Sequence, residues 1–348
     1  MIERYGKLSA PLLLLKKDFI SNNDLILKKS VEINKIYSTQ AKRKNCKNCN
    51  SVLSDTVGVV KQNIQYIVCD LCGHLNGENQ DSDEFCNAIY ADDGGKSYAK
   101  NYTPKGKGDY EKRVNDIYLP KAEFLLDSLR TFGESIDNIR IVDLGAGSGY
   151  FVNSLTQLGV IDSNGFEVSE TQVAMGNKMM GEDRLKTHSI DQTAVIANTI
   201  KADVVSMIGV LEHLQNPREI LKALHDNNSV RYLYISVPLF SPTVFFEMVF
   251  PELMQRQLSA GHTHLYTESS LNWMADEFGM KKIAAWWFGS DMIDLYRNVV
   301  VQIGKQPETE KMTQVWSDMF SPIIDALQLE MDKKHLSSEV HMLFKFES

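Results

Sequence analysis

Four cysteines fall in the pattern C-x2-C-x19-C-x2-C: Cys46, Cys49, Cys69 and Cys72. Two pairs of thiolates on separate tight turns can close a tetrahedron around Zn2+. Four sulfurs leave the ion no open position, so such a metal folds a module and does no catalysis. Further along, Asp143 precedes three alternating glycines, Gly145, Gly147 and Gly149. Glycines so spaced let the chain turn through positive φ and let a small polar ligand lie against the main chain. An acid about 20 residues later, Glu167, is placed to accept both hydroxyls of a ribose. Glu212 and His213 are adjacent. An imidazole beside a reacting centre can remove a proton, and a neighbouring carboxylate can orient it. His262 and His264, with Tyr98 and Tyr102, are candidates for lining a substrate cavity, although local turn or linker roles suit them equally. No third ligand near the two histidines in sequence argues for a metal there.

These residues need elements to hold them in place. The branched apolar run 139–144 reads as a strand buried on both faces, and the glycines after it read as a strand-turn-helix. Phe151, Val152, Leu155 and Leu158, stopped by Gly159, give the helix one apolar face. Further strands are expected at 165–167, 185–190, 202–208, 232–237, 281–288 and 298–303. Seven strands with helices between them make an α/β, doubly wound (Rossmann-like) sheet, whose ligands bind beyond the carboxyl ends of the strands. Between the cysteine pairs, 57–60 and 64–68 flank Lys61-Gln62-Asn63 as a hairpin, with Asn50 and Gly73 suited to the knuckle turns. Cys86 is expected simply to pack. Thr267 is a plausible cap for a helix running toward Phe278.

The 348 residues suffice for one catalytic domain and one or two small modules. The divisions expected are a helical extension at 1–40, a zinc ribbon at 41–80, a Tyr- and Gly-rich connector or lid at 81–120, the ligand-binding domain at 121–305 and a helical tail at 306–348. No apolar run reaches membrane-spanning length, and a cytoplasmic protein is expected. The net charge of −8 disfavours a general polyanion binder, although residues 1–80 carry 12 Lys and Arg against 7 Asp and Glu.

A dinucleotide turn would want its third glycine at Tyr150. Instead, Asp143-x-Gly145-x-Gly147-x-Gly149 followed by Glu167 resembles the first two motifs of class I S-adenosylmethionine (SAM) methyltransferases. The resemblance implies that the glycine turn passes under the methionine part of SAM, with Asp143 near its amino group and Glu167 on the ribose. Asp191, after the third strand, would then meet the adenine. Over residues 46–304 the cysteines, the turn, Glu167, the stretch ending at Glu212-His213 and Gly261-His262-Thr263-His264 follow the same order as in bacterial sugar C-methyltransferases and related polysaccharide- and antibiotic-pathway enzymes. That likeness implies a nucleotide-linked sugar as substrate and His213 as base, supported by Glu212. The large carboxyl-terminal domain of those sugar enzymes has no counterpart after Gly304. Two alternatives differ in class: an RNA or protein methyltransferase gripping its substrate with the ribbon, and a non-catalytic SAM-fold interaction module.

Overall fold

A computed structural model describes residues 1–15, 18–54, 56, 58–90, 106–258 and 261–347. Among the described residues, twelve strands follow in chain order: β1 (Ile2–Tyr5), β2 (Val59–Lys61), β3 (Ile64–Val68), β4 (Leu75–Gly77), β5 (Arg140–Leu144), β6 (Asp162–Glu167), β7 (Leu185–Thr187), β8 (Val204–Ile208), β9 (Tyr232–Pro238), β10 (His264–Leu265), β11 (Met280–Phe288) and β12 (Glu339–Phe346). The large sheet has the order β1-β11-β12-β9-β8-β5-β6-β7, and a small one has the order β10-β4-β3-β2. Strands β5 to β9 of the large sheet are parallel to one another, while β12 runs antiparallel between β11 and β9.

The run 139–144 behaves as a strand covered on both faces. Val142 and Leu144 join one apolar layer with Val205 and Met207, and Ile141 joins the other with Phe151, Tyr234 and Trp286. All seven residues of β9 are buried, as a central parallel strand requires.

Three expectations are corrected. Residues 298–303 are not a strand but lie inside the helix Asp291–Gly304, whose buried positions Asp291, Asp294, Asn298 and Val301 recur every three to four residues. That is a helical stripe, which an apolar run alone does not reveal. The tail 306–348 is not all helical, for its last segment is β12, inserted between β9 and β11. The extension 1–40 likewise contributes a strand, β1, pinned parallel to β11, with Gly6 O accepting from Trp286 Nε1 at 2.9 Å. The sheet therefore has eight strands. Met312, Val315, Met319, Ile323 and Leu327 are exposed along the helices Met312–Phe320 and Ile324–Asp332 and the turn Ser321–Ile323 that joins them.

The hairpin between the cysteine pairs forms as expected. Gln62 and Asn63 take positive φ and close the β2–β3 hairpin, and β4 adds β10 from the large domain as the outer strand. Cys86 packs with Tyr37 and Phe85. Thr267 caps the helix Glu268–Glu277 through a reciprocal bond pair with Ser270.

Candidate active site and metal centre

Strand order reverses between β5 and β8, neighbours that are not consecutive in the chain, so a crevice opens beyond their carboxyl ends. After β5 the backbone passes Gly145, Gly147 and Gly149, all at positive φ. A Cβ on Gly145 would lie 2.5 Å from Val210 Cγ2, so the loop after β8 already touches this turn. Glu167, ending β6, holds the turn from the other side. Its Oε2 accepts from Gly147 N at 2.8 Å, and its Oε1 accepts from Val168 N at 2.9 Å and Ser169 N at 3.0 Å. Tyr150, where a dinucleotide fold would place glycine, opens the helix Tyr150–Gln157 and stacks with Tyr110 and Tyr118 at centroid distances of 4.7 and 5.3 Å. Tyr110 also donates to Ser148 O at 3.1 Å, so the segment before Leu119 is packed onto the turn.

Asp143 is buried and accepts from Ser206 Oγ at 2.6 Å. Burial raises its carboxyl to about 7, with the charge of Glu167 adding to the shift. A buried carboxylate held near neutrality is one that a cation would stabilise.

The loop after β8 carries Glu212 and His213 on one turn of 3-10 helix. Glu212 is buried, its Oε2 has no hydrogen-bond partner among the described residues, and burial raises its carboxyl to about 8. Its Oε1 lies 4.0 Å from His213 Nε2. His213 Nδ1 donates to Gly261 O at 3.1 Å, and His262 Nδ1 donates to Gln257 O at 2.9 Å. Those bonds fix the tautomers and leave each Nε2 as the nitrogen with a lone pair. The two rings stand 5.1 Å apart, and burial, joined by the neighbouring imidazole, lowers His213 to about 3.

The structure thus brings His262 to Glu212 and His213, but not His264. That residue is wholly buried in β10 at the ribbon seam, its Nδ1 2.7 Å from His74 Nε2. Asp191 sits exposed on the turn Ile190–Gln192 after β7, whose strand is shorter than expected. Tyr98 and Tyr102 lie outside the described residues. Sequence reasoning missed Lys121 and Glu339, which meet at 3.3 Å beside Ser236 and His341. Burial alone would raise the Glu339 carboxyl, but Lys121 and His341 take it well below the usual carboxylate range. Alternation along β12, with Glu339 and His341 two apart, was the available signal.

Cys46, Cys49, Cys69 and Cys72 converge, all buried, with sulfurs within 4.8 Å of one another and closest approaches of 3.7 and 3.5 Å. A tetrahedron of thiolates at about 2.3 Å from an ion has edges of about 3.8 Å, close to those two approaches, so the donor set fits a metal. Asn50 and Gly73 take positive φ after each pair, as the knuckle turns require. Asn76 Nδ2 points at Cys46 Sγ and Asn48 Nδ2 at Cys72 Sγ. The knuckles also grip the large domain: Asn48 donates to Ser270 O, Ser269 donates to Cys72 O and Thr267 donates to Gly73 O.

No described helix is long and apolar enough to cross a membrane. Residues 118–285 match a family model described as a methyltransferase domain. Among solved structures the chain is similar to the plantazolicin methyltransferase BpumL in complex with SAH, at 15% identity over 75% of this chain and 94% of that one, with a TM-score of 0.46. It is also similar to magnesium protoporphyrin IX methyltransferase (ChlM) from Synechocystis PCC 6803 with bound SAH, at 15% identity over 58% and 90%, with a TM-score of 0.42. A comparison with curated proteins finds no match. The family match, a little under half of the chain, spans the glycine turn, Glu167 and the Glu212-His213 loop; residues 118–285 are thus similar to a methyltransferase domain, which supports an enzyme.

Proposed function

We propose that the chain methylates a small acceptor, a nucleotide-linked sugar or related polysaccharide-pathway intermediate, at an oxygen or acidic carbon deprotonated by His213. The observation that carries this reading is the contact between the two loops at the switch point, which sets the Asp143–Glu167 side of the crevice against Glu212 and His213. The sugar class rests on the order of motifs along the sequence.

SAM supplies a methyl group already activated on a positively charged sulfur. Gly145, Gly147 and Gly149 give its methionine part a bare backbone to lie on, Asp143 pairs with the amino group, Glu167 takes the ribose and Asp191 reaches the adenine. His213 Nε2 accepts the proton of the acceptor. The Gly261 carbonyl orients that ring through Nδ1, Glu212 supports it from 4.0 Å beside Nε2, and His262 borders the acceptor. His264 contributes by holding the seam that carries His262. The Cys46, Cys49, Cys69 and Cys72 cluster binds Zn2+ as a structural ion.

Replacing His213 with Gln is the direct test. Single-turnover methyl transfer is expected to fall by roughly 10²–10⁴, with SAM affinity changed less than about twofold. Undiminished turnover across pH ends the base assignment. A second test concerns Asp143, which must ionise to pair with an ammonium group. With its pKa at about 7, SAM affinity should fall by up to about tenfold per pH unit below neutrality, and binding should release a proton. Asp143→Asn flattens that profile; a flat wild-type profile removes Asp143 from the contact. The sign for folding is opposite. A carboxyl held above its unfolded value favours the protonated state, so the ligand-free protein loses stability as pH rises through about 7, and Asp143→Asn prevents that loss.

The RNA-binding alternative rests on a groove of about 700 Å³ beside the ribbon, lined by Arg43, Lys44, Lys47 and Arg218; Arg43 and Lys47 are paired with Asp81 and Arg218 with Glu277, and Lys44 is exposed.

A further inference from the structure

The base assignment uses one lone pair, yet the pocket offers more donors. One ligand atom from each of Glu212, His213 and His262 lies within 4.8 Å of the others. Donors about 2.1 Å from an ion stand roughly 3–4 Å apart, so the trio needs to close by no more than on the order of 1 Å.

Both imidazoles are prepared as a metal ligand is prepared. Each donates Nδ1–H to a backbone carbonyl, Gly261 or Gln257, which orients the ring and leaves Nε2 basic. Glu212 is 4% exposed, and its Oε2 finds no partner among the described residues, although it is aimed into a protein interior where an unpaired carboxylate is costly. A cation is what this carboxylate lacks. Two adjacent nitrogen lone pairs then select the kind of cation, because an ammonium or sulfonium group offers them no empty orbital and a divalent transition ion does.

We infer that Glu212, His213 and His262 form a second metal site, of two imidazoles and one carboxylate, for a borderline divalent ion such as Zn2+ or Co2+. This departs from the sequence, where no third ligand stands near His262; the loop after β8 supplies it. Unlike the cysteine centre, three protein ligands leave positions open to an oxygen of the acceptor. This inference rests on the proposed function only for what the ion would act on; with the ion bound, His213 serves as ligand.

The test uses full-length protein with zinc already in the cysteine cluster, titrated with Co2+ and followed by calorimetry and absorption. One further equivalent is expected, with weak ligand-field bands and no sulfur charge-transfer band. Glu212→Gln and His262→Ala should each weaken it by about tenfold or more, while the zinc content of both variants stays at one equivalent and reports an intact fold. Absence of a second equivalent, or cobalt binding unchanged in both variants, overturns the site. SAM affinity measured in the same samples separates the outcomes: intact SAM binding without cobalt binding leaves His213 as base, and loss of SAM binding in the wild type refutes the crevice assignment itself.

Discussion

Replacing Glu167 with Ala is expected to weaken SAM binding by about a hundredfold or more. The carboxylate does two things in one place. Beyond the proposed ribose contact, it accepts three backbone N–H groups, from Gly147, Val168 and Ser169, and thereby sets the shape of the turn on which the cofactor lies. Charge-assisted bonds of this kind contribute roughly 1.5–3 kcal/mol each, and alanine leaves all three donors without their acceptor. Glu167→Gln should fall between wild type and alanine, because one amide oxygen can serve only one side of the original fork. Calorimetry with SAM, alongside thermal unfolding of the ligand-free variants, measures both parts of the effect. Unchanged affinity in the alanine variant would remove Glu167 from the site, whatever its effect on the turn.

That double role was only half legible in the sequence. The distance from the glycines to Glu167 is a local property of a strand-turn-helix-strand unit, so residue types and spacing were enough to find it. The bond back to Gly147 depends on β5 and β6 lying side by side. The cysteine pairs and their knuckle turns were readable for the same reason, since each pair with its following Asn50 or Gly73 is complete within a few residues. What could not be read was the long-range insertion of β12 between β9 and β11. An apolar stretch at 298–303 looked as suitable for the place as 339–346 does, and only the buried polar stripe of Asp294, Arg297 and Asn298 distinguishes a helix there. With β12 misplaced, Glu339 could not be brought to Lys121. Among the histidines, His262 and His264 alternate, but β10 pairs with β4 and draws His264 into the ribbon while His262 is left facing His213.

Replacing Cys49 with Ser, or stripping the metal proposed for the cysteine cluster, is expected to lower methyl transfer while leaving SAM affinity nearly intact. A structural zinc ion in a small peptide is worth roughly 10–16 kcal/mol. Here part of that loss is offset, because Val59, Ile64 and Tyr66 of the hairpin and Leu75 of β4 pack on Tyr37 of the amino-terminal helix and on Val244, Leu258 and Leu265 of the large domain. The hairpin should therefore stay docked while the knuckles fray. The knuckles hold Ser270, Ser269 and Thr267, and β4 holds Thr263 through Gly77 and pairs His264 with Asn76 and Leu265 with Leu75. Loosening them frees the segment that carries His262, far in sequence from the cysteines but next to them in space. Asp143 and Glu167 stand on β5 and β6, with Gly147 in the turn after β5, and among the described residues these strands share no pairing with the ribbon, so the cofactor side should be spared. Hydrogen exchange after chelation is expected to rise at 44–54, at 69–76 and at 261–270, with turnover falling in parallel and the SAM dissociation constant held within about threefold. If exchange at 261–270 stays protected while the knuckles open, the ribbon does not position the substrate side of the crevice.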